Sequence, residues 1–99
     1  MTKIKNNTAK VNIQMNIEGI KRINVPSAVL LDLDKTFQFL QDNLPRYYAA
    51  EAKRLLPKNK KVDIAYIRRV KNQKISNPHI ITALYRIAQF HALQKKNII

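Results

Sequence analysis

The hydrophobic positions change period along the chain, and the changes divide it. Residues 10–18, KVNIQMNIE, alternate, with Val11, Ile13, Met15 and Ile17 apolar and Asn12, Gln14 and Asn16 between them. A period of two belongs to a half-buried strand, so a β-strand over 11–17 is expected. Gly19, the only glycine, breaks it, and Ile20 to Val25 is expected to form a second short strand or an extended lead. A lone two-stranded ribbon is marginal in water, so this element should pair with a second copy or pack on the helices.

From residue 26 the period lengthens to three and four. Leu30, Leu33, Phe37, Leu40 and Leu44 mark one stripe of a helix over 26–43, with Pro26 in its first turn and Ser27 or Asn24 as cap. Pro45 holds Leu44 out of helical geometry and opens a second helix that runs to Leu56 and stops at Pro57. Tyr48, Ala52 and Leu55 form its inner face, and the small Ala49, Ala50 and Ala52 admit a close neighbour. After the basic turn PKNKK, Asp63 is placed to cap a third helix over 64–73, with Val62 and Ile67 as an apolar staple and Ile64, Ile67 and Val70 inward. After KISNPH, Asn77 caps and Pro78 opens a last helix to Gln94, with Ile80, Leu84, Ile87 and His91 on one stripe and Ile81 and Ala88 beside it. The final KKNII is expected to fray. The expected fold is mainly α, a four-helix domain over 26–97 preceded by a basic arm, 1–25, that carries a short β-strand or β-hairpin.

One stretch of the first helix invites a different reading. VLLDLDKTF, Val29 to Phe37, ends in Asp-x-Asp-x-Thr and resembles the first motif of the haloacid dehalogenase-like hydrolases, which would make Asp32 a nucleophile and Asp34 an acid/base. That fold needs several parallel strands with crossover helices, for which 99 residues leave no room. The carboxylates that follow, Asp42, Glu51 and Asp63, are too scattered to complete a Mg²⁺ site. The helical reading prevails, with Asp32 and Asp34 favoured by the dipole near a helix start, and no enzymatic activity is expected.

Charge then changes the picture. The chain carries 19 Lys and Arg against 6 Asp and Glu, a net charge of +13, yet 45% of it is hydrophobic, so it can fold and will attract polyanions. Residues 53–99 hold twelve cations and one anion, whereas 26–52 hold two cations and four anions. With no Cys and two separated His, neither a disulfide nor a structural zinc site is expected, and no cofactor or small-molecule effector is evident. No apolar run approaches the ~20 residues needed to cross a bilayer, and the amino terminus lacks a signal-peptide core, so a cytoplasmic protein without membrane contact is expected. Abundant Asn, Ile and Lys suggest the AT-rich genome of a low-GC bacterium or its phage.

The run VDIAYIRRVKNQKISNPHIITALYRIA, Val62 to Ala88, resembles the helix-turn-helix of lambda repressor-like and lactose repressor-like DNA-binding domains. The matching features are an apolar residue and cap, a recognition helix with Ile-x-Arg-Val at its centre and Asn-Gln at its end, and a capped helix behind it. The turn from Leu56 to Val62 is longer than that pattern and lacks its glycine. The resemblance implies base reading by Ala65, Tyr66, Arg68, Arg69 and Asn72 in the major groove. It places Lys58, Lys60, Lys61, Lys71 and Lys74 on phosphates, where they add affinity and salt dependence but no sequence information.

A strand followed by helices also resembles the ribbon-helix-helix repressors, in which Asn12, Gln14 and Asn16 would read the groove; here GIKRI intervenes, and a solvent-facing row on a dimerisation strand is the better account of them. His79 lies where it can touch phosphate, His91 faces the core, and Tyr47 and Tyr48 suit core or interface, with Tyr47 also able to stack on a base. The resulting expectation is a homodimeric, sequence-specific binder of duplex DNA that regulates transcription. The alternatives are an architectural or replication-associated DNA binder, or an adaptor or virion component whose basic face meets an acidic protein.

Overall fold

The computed structural model describes residues 17–98, and among them the chain is helical throughout, with no strand. In order, the elements are α1 (Ile17–Lys21), α2 (Ala28–Leu31), α3 (Leu33–Asn43), α4 (Tyr48–Leu55), a single 3₁₀ turn (Lys58–Lys60), α5 (Ile64–Asn72) and α6 (Pro78–Ile98). Helix α6 touches each of the other five helices, and its Ile80, Ile81, Ala83, Leu84, Ile87 and Ala88 are all buried.

The expected strand over 11–17 lies outside the described residues except for Ile17, which opens α1 instead. Gly19 therefore sits inside a helix and does not break a strand. Ile17 and Ile20 are three apart, and Ile20 is completely buried in the common core. Glu18 in the first turn and Lys21 in the last suit the dipole of even this short helix. Beyond it the chain is held to α6 by Arg86, whose Nε donates to the Ile23 carbonyl at 3.1 Å.

The helix expected over 26–43 is two helices. Asp32 leaves helical geometry (φ −121°, ψ 82°), and its carboxylate accepts a hydrogen bond from the Lys35 amide at 3.2 Å, capping α3. The Thr36 hydroxyl donates to the Val29 carbonyl, which the break would otherwise leave without a partner. Short polar side chains of this kind compete with helix continuation, which accounts for the interruption. The break shifts the inward stripe, so Val29, Phe37 and Leu40 are buried while Leu30, expected inside, is exposed. Ser27 occupies the cap position of α2 without a side-chain hydrogen bond.

The later elements follow the sequence closely. Leu44 is extended, as the following proline requires, although α4 begins only at Tyr48 because Pro45 to Tyr47 form a turn. Asp63 holds the extended cap geometry before α5 but makes no side-chain capping bond, so the helix start rests on the Val62 and Ile67 contacts with the core. Asn77 caps α6 through a bond from the Ile80 amide at 3.3 Å, and Pro78 is its first residue. That helix continues through Ile98 rather than fraying at Lys95, and the stretch after Pro78 holds no glycine or proline to stop it.

With no glycine to end α5, a lysine does so. Lys74 adopts φ 54°, and the Ile75 amide reaches back to the Val70 carbonyl at 3.0 Å, a Schellman closure. The left-handed region costs a residue with a Cβ roughly 1 kcal/mol relative to glycine. Lys74→Gly should therefore raise the unfolding free energy by about 0.5 to 1 kcal/mol in urea denaturation at unchanged m-value; a loss of stability would mean that the Lys74 side chain makes a compensating contact.

Candidate nucleic-acid interface

Helix α5 has a locked side and an open side. Ile67 and Val70 are fully buried against α4 and α6, with Ile64 half-buried beside them. This phase fixes which residues point out: Ala65, Arg68, Arg69 and Asn72 are exposed, as the sequence reading places them. Tyr66 is half-buried and does two other things. Its hydroxyl accepts a hydrogen bond from Asn77 Nδ2 at 3.4 Å, tying α5 to the start of α6, and its ring lies 5.7 Å from the Arg69 guanidinium.

A second aromatic supports the same helix from α4. The Lys71 ammonium lies 5.5 Å from the centre of the Tyr48 ring, a cation–π geometry. Burial pushes the Tyr48 phenol above its ordinary value, and the Arg68 guanidinium nearby pulls the other way. Two tyrosines thus brace a helix whose outer cations have no carboxylate to meet. Among the described residues no Lys or Arg lies within 4.0 Å of an Asp or Glu oxygen.

The lysines expected on phosphate divide by what they already hold. Lys58 and Lys60 are exposed on the 3₁₀ turn, and Lys74 is exposed at the end of α5. Lys61 is engaged: its ammonium donates to the carbonyls of Lys53 at 2.6 Å and Leu56 at 3.1 Å, closing the C-terminus of α4. Lys71 is half-buried over Tyr48. Between the 3₁₀ turn and the start of α6 lies an open cleft of about 240 Å³, lined by Lys60, Lys61, Asn77 and His79 among others. The strand candidates Asn12, Gln14 and Asn16 lie outside the described residues.

The sequence reading names Glu51 only as one of three scattered carboxylates and misses its burial. It is 2% exposed in the middle of α4, and neither carboxylate oxygen receives a hydrogen bond. His91 Nε2 on α6 stands 3.6 Å from its Oε1, and the Tyr47 ring meets the His91 ring edge-on at 6.5 Å. Desolvation by burial raises the Glu51 carboxyl to about 7, against the pull of Arg54. The signal was present in the spacing, because Glu51 falls three after Tyr48 and four before Leu55, on the stripe already assigned inward. Asp32 and Thr36 of the Asp-x-Asp-x-Thr run serve the α2–α3 junction, and among the described residues no group of three or more His, Cys, Asp or Glu could hold a metal ion. No described helix is long and apolar enough to cross a membrane.

Compared with known protein families, curated proteins and solved structures, the chain matches none of them.

Two outcomes follow from these contacts. Lys61→Ala should lose about 1 kcal/mol of stability because two carbonyls lose their charged donor, while Lys60→Ala should change stability by less than about 0.5 kcal/mol; equal effects in thermal melts would refute the capping role. For Glu51 the folded state holds its proton more tightly than the unfolded chain. Its stabilising share is therefore full below about 4.5 and lost as pH rises through about 7. Glu51→Gln should melt above wild type at pH 8, by the equivalent of roughly 1 to 3 kcal/mol, and lose that advantage by pH 5. An advantage that does not vary with pH would show that the buried carboxyl titrates normally.

Proposed function

We propose that this protein binds duplex DNA by laying α5 in the major groove and that it serves as a small regulator of transcription. The observation that carries this reading is the outer face of α5: Arg68 and Arg69 exposed, with Ala65 and Asn72 beside them, on a helix held by Ile67, Val70 and the Tyr66–Asn77 bond, and with no carboxylate bridging the cations. An α-helix fits the major groove, and an Arg there reaches guanine O6 and N7 together, worth about 1 to 3 kcal/mol of discrimination. Lys58, Lys60 and Lys74 flank the helix at both ends and would take phosphates. Tyr66 acts as a brace for Arg69 more than as a base reader. A net charge of +13 supports the choice of a polyanion as partner. One reading helix covers few base pairs, so two copies on paired half-sites complete the proposal.

The test is fluorescence anisotropy on random and selected duplexes from about 50 to 300 mM salt. Arg68→Ala/Arg69→Ala should abolish a tenfold or greater preference for the selected site. Lys58→Ala/Lys60→Ala should weaken every duplex alike and lower the salt slope by about two, near 0.9 per phosphate lost. Lys61 is kept native so that stability does not confound affinity. Tight binding without any preference would replace sequence-specific reading by an architectural role, and no complex at about 100 mM salt would exclude DNA as the partner.

A further inference from the structure

Among the described residues, exposed acidic and apolar side chains come together at the α2–α3 junction. Leu31 is 83% exposed there, more than any other large hydrophobic side chain described, and Leu30 beside it is also exposed. Asp32, Asp34 and Asp42 are exposed on the same segment with Lys35 as the single cation. Asp34, Gln38 and Asp42 follow one another at four-residue steps along α3, and the Gln38 amide donates to Asp42 at 3.1 Å, so they form one row. Next to the junction an open groove of about 250 Å³ runs between α2–α3 and α6, lined by Val29, Asp32, Thr36, Phe39 and Tyr85 among others. The Phe39 and Tyr85 rings, 5.4 Å apart, form an aromatic wall within it.

The occupant that this surface fits is encoded in the chain. Sixteen residues precede Ile17. They contain Lys3, Lys5 and Lys10, no acidic residue, and the alternating Val11, Ile13 and Met15 after Ile4. That composition is complementary to the junction in both respects, cations for Asp32, Asp34 and Asp42 and apolar side chains for Leu30, Leu31 and the groove. The rest of the surface, dominated by cations, repels the same segment. Reach is sufficient, since sixteen extended residues span about 50 Å against a radius of gyration of 14.2 Å. Ile20, buried in the core, anchors the far end.

We infer that residues 3–16 dock in cis on the acidic, apolar α2–α3 junction. Tethering favours the chain's own segment over that of a second copy, because a short linker sets an effective concentration of about millimolar, whereas two free molecules of charge +13 repel each other. This inference does not depend on what α5 binds.

The absence of native cysteine gives a clean test in the full-length protein. Ile13→Cys/Leu31→Cys, mildly oxidised at about 50 mM salt, should close an intramolecular disulfide, seen as monomer mass with loss of two thiols. A control pair, Ile13→Cys/Asn59→Cys on the basic turn, should close at least fivefold more slowly. Adding Asp34→Lys/Asp42→Lys, which leaves the Asp32 cap intact, should slow the first pair severalfold, as should about 500 mM salt. Circular dichroism melts of each variant confirm that the fold is kept. Equal rates at the two positions, or a rate indifferent to charge reversal, would overturn the inference. Disulfide-linked dimers as the main product would overturn docking in cis and assign the surface to a second copy.

Discussion

Every other element depends on the burial of one helix. Ile80, Ile81, Leu84, Ile87 and Ala88 fall within an arc of about 120° around α6, and each of the other five helices packs against that helix. Fully burying a Leu or Ile stabilises by about 1.5 to 3 kcal/mol, so this shared helix holds much of the driving force for elements that are individually too short to persist. The four residues of α2 and the five of α1 have no stability of their own. Ile67 and Val70 set the rotation of α5 by the same means, so the orientation of Arg68 and Arg69 is a consequence of core packing.

Helix ends in this chain are handled almost entirely without glycine. Asp32 and Thr36 satisfy the two sides of one break, Asn77 caps α6, Lys61 closes α4, and Lys74 bends left-handed to close α5. Two of these devices are lysines of the basic region. A count of cations therefore overstates what that region has to offer a ligand. The ammonium of Lys61 is committed to carbonyls, and that of Lys71 lies on an aromatic face, while Lys58 and Lys60 have no such duty. Affinity on the proposed reading rests on fewer groups than composition suggests.

Most of the helical body was legible because apolar spacing and proline positions are local signals. Pro45, Pro57 and Pro78 mark true boundaries, and the inward stripe of α5 follows from three residues, Ile64, Ile67 and Val70. The misreadings occurred where a local signal was overruled by a distant partner. Ile17 fits a strand by alternation but a helix by its distance from Ile20, whose burial depends on α4 and α6. The break at Asp32 was hidden because Asp is tolerated near a helix start, and nothing in the spacing reveals that Thr36 will bond to Val29. For the candidate site, exposure was readable from periodicity, whereas the engagement of Lys61 and Tyr66 arises from folds of the chain eight and eleven residues apart in sequence.

The charge that suggests a polyanion partner also burdens the free protein. Twelve cations against one anion in the last 47 residues repel one another across a small body, and a carboxyl that could have offset them, Glu51, is buried where its own ionisation is disfavoured. A ligand that binds only the folded state raises its stability in proportion to the logarithm of its concentration over Kd. For this chain the gain would include relief of self-repulsion, so a polyanion bound as proposed would stabilise it by more than its direct contacts, and added salt would act in two opposing directions. It screens the repulsion in the free protein while weakening the ionic contacts of the complex. Protein stability should therefore rise with salt over the same range in which affinity for a polyanion falls. On the proposed reading, contacts made by Ala65 and Asn72 would lie outside that exchange, since both side chains are neutral.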